Sequence, residues 1–220
     1  MSKTAPVTDS IGLILASASP RRRELLAELL TSFRVEVCPQ AEPQFKPAEL
    51  EPCAWVESLA YFKAAAVSSK YPNDAVLGAD TIVVCEGHLL GKPDDLDDAR
   101  RMLTLQMRSP SDVLTGVCLL SPAAGCFRLV QHELTRVWMR NDDRLREEYL
   151  ATGDWRDKAG AYGIQTIGDR LVERIEGSFS NVVGLPLERV SRMLHAVGIA
   201  HRPPGSVNSK HASSGLEVAG

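Results

Sequence analysis

The sequence predicts an α/β protein, and three features carry that reading. Leu13 to Ala16 is a short apolar run of the kind that makes a buried strand, and it leads into Ser19-Pro20, a helix start with Ser at the N-cap and Pro at the first helical position. Pro52 to about Ser69 reads as a long helix with its apolar residues gathered on one side. Val76 to Val84 follows it as the strongest strand of the chain. At 220 residues there is room for one large α/β domain or two small ones.

Composition narrows the function. A hydrophobic content of 44% and a charged content of 24% describe an ordinary globular chain. A formal net charge of −3, with no dominant basic stripe, argues against a nucleic-acid binder. No apolar run reaches the roughly 18 residues of a membrane helix, and Met1 to Ser10 lacks a signal-peptide pattern. Five cysteines, with no CxxC pair, fit reduced thiols and a cytoplasmic protein.

Residues 1–10 read as a mobile lead-in. The first helix carries a stripe of Leu25, Leu26, Leu29 and Leu30. Three arginines, Arg21 to Arg23, crowd its positive end, where each cation is disfavoured by roughly 0.3–1 kcal/mol. Arg22 falls inside the leucine stripe, which suits a solvated face poorly. Backbone N–H groups and guanidinium forks at one helix start suit an anion with several phosphate oxygens; a merely basic helix end is the alternative. Loss of Arg22 is accordingly expected to weaken anion binding and spare the fold.

Phe33 to Cys38 alternates like a half-buried strand and ends in the loop Pro39 to Pro47, which holds Glu42. On the second helix, Lys63 lies within the apolar face formed with Trp55, Val56, Leu59, Ala60, Phe62, Ala66 and Val67. Either its stem is buried and its ammonium snorkels to water, or the ammonium is aimed into a cleft. In the strand Val76 to Val84, Asp80 interrupts an apolar run beside Gly78 and Ala79. A buried carboxylate needs a cation, a metal or hydrogen-bond donors. A structural salt bridge is the plain reading; the small neighbours leave room for a ligand.

Glu86-Gly87 turns the chain into His88 to Leu90. The run Gly87 to Pro93 mimics a P-loop, but it is one residue short and has Pro where Ser or Thr is required. Asp94 or Asp95 caps a helix to about Met107, with Leu96, Ala99, Met102 and Leu103 inward. Val113 to Leu120 and Phe127 to Met139 read as strands paired through Ser121 to Gly125. Asn141-Asp-Asp starts a short helix that Gly153 can end. Asp154 to Gln165 has neither period, yet carries Lys158, Tyr162 and Gln165, as ligand-holding loops do. Leu171 to Ile175 reads as a strand, Pro186 opens a last helix and Gly198 stops it. From His201 the chain reads as a disordered tail.

Six stretches together resemble the Maf family of nucleoside triphosphate pyrophosphatases: Ser17 to Arg22, Lys63-Ala64, Gly78 to Thr81, Gly91 to Pro93, Lys158 to Gln165, and Gly177 to Pro186. They keep the family's order over about residues 12–198. The resemblance implies a single domain over 11–200, with a long bent mixed sheet flanked by helices and a cleft between two lobes, similar to the inosine triphosphatase architecture. It implies hydrolysis of a nucleoside triphosphate between its α- and β-phosphates. The Lys158 to Gln165 loop looks like the branch acting on dTTP and UTP. Arg21, Arg22, Lys63, Lys92 and Lys158, with Ser19, would bind the triphosphate, and Gln165 would lie near the base. Asp80 and Glu42 would hold Mg²⁺ or Mn²⁺, with Asp80 as metal ligand or as base. A homodimer is also implied, and a nucleotide-binding regulator tied to cell division, without turnover, is the alternative. Two departures stand out: Ser109 to Asp112 lacks the His common before the Thr-Gly pair, and Ala18 stands where Gly is common.

Overall fold

A computed structural model of the chain describes residues 12–41, 43, 46–122, 127–165, 167–206 and 217–219. The N-terminal lead-in, Glu42, the Ala123 to Gly125 part of the expected turn with Cys126, and residues 207–216 and 220 of the expected tail lie outside them. The described residues form one eight-stranded mixed sheet in the order β2 (Arg34–Glu36), β1 (Leu13–Ala16), β3 (Ala75–Cys85), β5 (Ser111–Ser121), β6 (Phe127–Met139), β7 (Val172–Glu176) and β8 (Glu217–Ala219), with β4 (His88–Leu90) also pairing with β3.

β1 (Leu13–Ala16) is buried throughout and feeds α1 (Pro20–Leu29) through Ser17-Ala18-Ser19. Ser19 caps α1, its hydroxyl accepting from the Arg22 N–H at 3.4 Å, and Pro20 is the first helical residue. β2 (Arg34–Glu36) lies parallel to β1 at the sheet edge and is shorter than the alternation Phe33 to Cys38 suggests. It is not half-buried: Val35 is 39% exposed and Val37, just beyond the strand, 59%, because an edge strand has a neighbour on one side only.

β3 (Ala75–Cys85) is the central element. Its residues sort by parity: Leu77, Ala79 and Val83 join the main core, while Val76 and Ile82 face α2 (Pro52–Ser68). Two glycines let α2 lie close on the sheet. A Cβ at Gly78 would stand 2.4 Å from the Ala60 carbonyl oxygen, and one at Gly116 would stand 2.3 Å from that of Val56. The opposite face is covered by α1, α3 (Leu96–Arg108) and α6 (Leu187–Ala196), whose Leu26, Leu29, Met102, Leu103, Val190 and Leu194 are all buried. Asp95 caps α3; Leu96, expected inward, is 42% exposed because it stands at the first turn, ahead of the packed face.

β5 (Ser111–Ser121) runs antiparallel along β3 from Val76 to Cys85. On the other side of β3, β1 pairs only as far as Gly78, and β4 (His88–Leu90) begins only at Val83. Ala79 to Ile82 therefore have no strand beside them on that side. This gap is what the site is built in.

β6 (Phe127–Met139) and β7 (Val172–Glu176) continue the sheet antiparallel, and β8 (Glu217–Ala219), within the expected tail, pairs parallel with β7. α4 (Asp143–Thr152) is capped by Asp142 and ends at Gly153, whose φ of +73° is the left-handed cap. α5 (Phe179–Val183) lies inside the Gly177 to Pro186 stretch, so Pro186 stands at the N-cap of α6 and not at its first turn. No helix among the described residues is long and apolar enough to cross a membrane.

Candidate active site

A cavity of about 370 Å³ opens at the gap in the sheet, where β1 ends and α1 begins. Ligands of α/β sheets sit outside the carboxyl ends of strands at such breaks in strand order. Ser19, Arg21, Arg22, Lys63, Asp80, Lys92, Lys158 and Gln165 all line it. Of the residues expected at the site, Glu42 alone lies outside the described residues.

Lys63 and Asp80 form the cavity's buried ion pair. The Lys63 Nζ is 2.5 Å from Asp80 Oδ1, and the two side chains are 10% and 13% exposed. The close seat of α2 over Gly78 brings Lys63 down onto the even-numbered face of β3. Asp80 pairs across the sheet with Gly116, so no side chain crowds it from β5. The ammonium thus neither snorkels nor floats; it meets a carboxylate on the cavity wall. Among the described residues Asp80 Oδ2 has no hydrogen-bond partner.

Arg22, on the cavity wall, is held by acceptors of the protein itself. Its Nε donates to the Gly184 carbonyl at 2.8 Å, Nη1 to the Ala79 carbonyl at 2.9 Å and Nη2 to Thr81 Oγ1 at 2.9 Å. The Ala79 carbonyl is on the strand edge that β1 leaves unpaired, and Arg22 fills the place of the missing strand. This explains a cation inside the leucine stripe: it points at the sheet, as the leucines do. A guanidinium has five N–H donors, so most of its capacity is committed to protein acceptors.

Beneath Arg22 runs a directed chain of hydrogen bonds. Thr115 Oγ1 donates to the Asn181 carbonyl at 3.2 Å, which can only accept. Thr81 must therefore donate to Thr115 across the sheet at 3.0 Å, while accepting from Arg22. The wholly buried Asn181 donates to the Val113 carbonyl and to Thr135 Oγ1, each at 3.0 Å. Thr81 and Asn181 stand within the stretches that carry the family resemblance, but polarity in a motif does not tell a ligand from a strut.

The remaining cations come from the start of α1 and from two turns. Lys92 is exposed on the lip and Arg21 is half-buried at the start of α1. Lys158 is 10% exposed; its Nζ donates to the Asp154 carbonyl and lies 3.5 Å from the Asp154 carboxylate. Its stem crosses Gly163, where a Cβ would stand 2.6 Å from Lys158 Cε. The loop is held in a sparsely populated conformation, with φ of +59° at Asp157, +70° at Gly160 and +62° at Ala161. Strain of this kind gathers at ligand sites. Asp157, Val37 and Cys38 also line the cavity and were not expected there. Burial pushes the phenol of Tyr162, in the same loop, well above its ordinary range.

Among the described residues no group of three or more His, Cys, Asp or Glu side chains converges on one point. The donors present do fit a hard cation such as Mg²⁺, which takes one or two carboxylates and leaves the rest of its shell to water and substrate phosphates. Asp80 Oδ2, which has no hydrogen-bond partner among the described residues, is a donor of that kind.

The chain is similar in sequence to known proteins. The dTTP/UTP pyrophosphatase of Koribacter versatilis is 48% identical over 190 residues, 86% of this chain and 96% of that protein. Those of Moorella thermoacetica and Pyrococcus furiosus are 47% and 42% identical, covering 85% and 83% of this chain and 95% and 93% of theirs. Among solved structures, a nucleoside-triphosphatase described as dITP/XTP pyrophosphatase from Mycobacterium abscessus matches at a TM-score of 0.37 and 12% identity, over 60% of this chain and 76% of that one. Residues 12–197, which hold every cavity residue named above, match the family described as Maf-like protein, and the chain belongs to that family.

Proposed function

We propose that the chain hydrolyses dTTP and UTP between the α- and β-phosphates, giving the nucleoside monophosphate and pyrophosphate. The observation that carries this reading is the placement of the Lys63–Asp80 pair on the wall of the same cavity as Arg21, Lys92 and Lys158. Close relatives over nearly their whole length bear the name dTTP/UTP pyrophosphatase.

The residues divide the work by chemistry. Arg21, Lys92, Lys158 and the N-terminal N–H groups of α1 gather a polyanion, which the helix dipole also favours. Asp80 offers Oδ2 to the divalent cation or to the proton of the attacking water, while Lys63 sits against its other oxygen. A divalent cation, Mg²⁺ or Mn²⁺, would be held by Asp80 and, when bound, neutralises phosphate charge and polarises the phosphoryl group. Gln165, on the cavity wall, has donor and acceptor on one amide for a pyrimidine edge.

Homodimer assembly and cytoplasmic residence belong to the same reading. The edge strand β2 shows Val35 to solvent, and Val37 just beyond it is exposed too, as in a strand awaiting a neighbour. Cys38, Cys53, Cys85 and Cys118 are free thiols.

A nucleotide panel with Mg²⁺ or Mn²⁺, scored for pyrophosphate against orthophosphate, tests the function. Pyrophosphate from UTP or dTTP is expected. Orthophosphate, or no product from any nucleotide, overturns it; a preference for 7-methyl-GTP overturns the assignment of the Lys158 to Gln165 loop.

A further inference from the structure

Lys92 and Lys158 reach the cavity from two separate turns, and Gly160 is bonded between those turns and the body of the protein. Its N–H donates to the Gly91 carbonyl at 3.0 Å, next to Lys92. Its carbonyl accepts from Gln106 Nε2 at 2.7 Å, two residues beyond Lys158. Gln106 stands in α3, 1% exposed, among Met102, Leu103 and Met107. Its Nε2 also donates to the Met102 carbonyl at 3.2 Å, while its Oε1 has no partner among the described residues. A primary amide on an apolar helix face is unfavourable unless its bonds are needed, so packing alone does not account for it. The backbone it grips is left-handed at both Gly160 and the buried Ala161, a conformation that persists only when the surroundings over-determine it.

We propose that Gln106 is a positioning residue for the polyphosphate. Through Gly160 it ties the Lys158 turn to α3 and to the Lys92 turn, so that both ammonium groups address one anion. The inference rests on the triphosphate reading of the cavity. Without the amide, the buried Gly160 carbonyl loses its donor and reaches water only by moving the turn outward. Lys63 and Asp80 stand on α2 and β3 and stay in place, so affinity falls while the chemical step is kept.

Gln106→Met in the full chain keeps length and unbranched shape and removes both donors. It is expected to raise KM for UTP about tenfold with kcat within about twofold, and to weaken binding of inorganic pyrophosphate by the same factor. Amide exchange across residues 157–163 should quicken. Gly160→Ala attacks the same lock from the other side, because its Cβ would stand 3.0 Å from Val83 Cγ2 at a positive φ. It should show the same KM shift, and the double variant should add little to either single one. Wild-type KM and pyrophosphate affinity in folded Gln106→Met overturn the proposal and leave Gln106 a packing residue. Should that variant not fold, an unchanged KM in Gly160→Ala overturns it equally. A wild-type protein that binds pyrophosphate without hydrolysing UTP removes the proposed activity, and the binding and exchange comparisons still decide the role of Gln106; one that binds no pyrophosphate removes both.

Discussion

Arg22 Nη1 donates to the Ala79 carbonyl at 2.9 Å, so a helix side chain occupies the edge of β3 that β1 stops short of covering. The same guanidinium holds the Gly184 carbonyl at the end of α5. Arg22→Ala is therefore expected to lower stability as well as activity, leaving two carbonyls and Thr81 without their donor. Roughly 3 kcal/mol is lost on the scale of charge-assisted bonds to half-buried acceptors. Tm should fall by about 6–12 °C for a chain of this size. Thermal melting checks this; an unchanged Tm with weakened UTP binding would show that Arg22 acts as a phosphate ligand alone.

How far the sequence revealed this site depends on what each residue type can signal. Lys63 and Asp80 were visible because a charge on an apolar face has to be accounted for, and their pairing is the account. Arg22 gave the same signal, but its protein partners were not legible, because they depend on where β1 stops against β3. Gln106 gave no signal, since a single amide in an amphipathic helix fits any exposed position. The strand and helix order was legible from periodicity; β2 was misjudged because alternation says which residues share a side, not whether anything covers it.

Gly116 carries a prediction about α2. A Cβ there would meet the Val56 carbonyl oxygen at 2.3 Å and the Glu57 nitrogen at 2.8 Å, both backbone atoms that cannot swing aside. Gly116→Ala should push α2 off the sheet and lower stability by about 1–3 kcal/mol. Because α2 bears Lys63, kcat should fall more than a stability loss alone explains. Melting and steady-state kinetics on the folded fraction check this; a destabilised variant with full kcat would show that the seat of α2 does not govern the ion pair.

The thiols should react in two classes. Burial pushes Cys85 up to about 11 and Cys118 to about 12, from an ordinary 9.0, so neither offers a thiolate at neutral pH in the folded chain. Cys38 lines the cavity and is half-buried. Iodoacetamide followed by peptide mapping should label Cys38 and spare Cys85 and Cys118, and UTP should slow labelling of Cys38. The same shifts predict the alkaline limb of stability. Protonation of these two thiols favours the fold fully below about pH 9, and that contribution drains as pH climbs towards the folded values of about 11 and 12. Rapid labelling of Cys118 at pH 8 in undenatured protein would contradict its burial.

Asp80→Asn separates the chemistry from the binding. The change is nearly isosteric, so the contacts of Gly78 and Ala79 with their neighbours are retained. What goes is the charge that Lys63 faces at 2.5 Å and that either task proposed for Oδ2 requires. Turnover should fall by roughly 10²–10⁴-fold, the range of a lost general base. Binding of UTP should persist, because Arg21, Lys92 and Lys158 remain on the cavity wall and Lys63 is released from its carboxylate towards the phosphates. A purely structural ion pair predicts the reverse: a large drop in Tm, with activity falling only in step with the folded fraction. Calorimetric titration with UTP, alongside melting and kcat, distinguishes the two. Near-normal turnover in folded Asp80→Asn protein would remove Asp80 from the mechanism and leave Asp157, the other carboxylate described on the cavity wall, to be tested in its place.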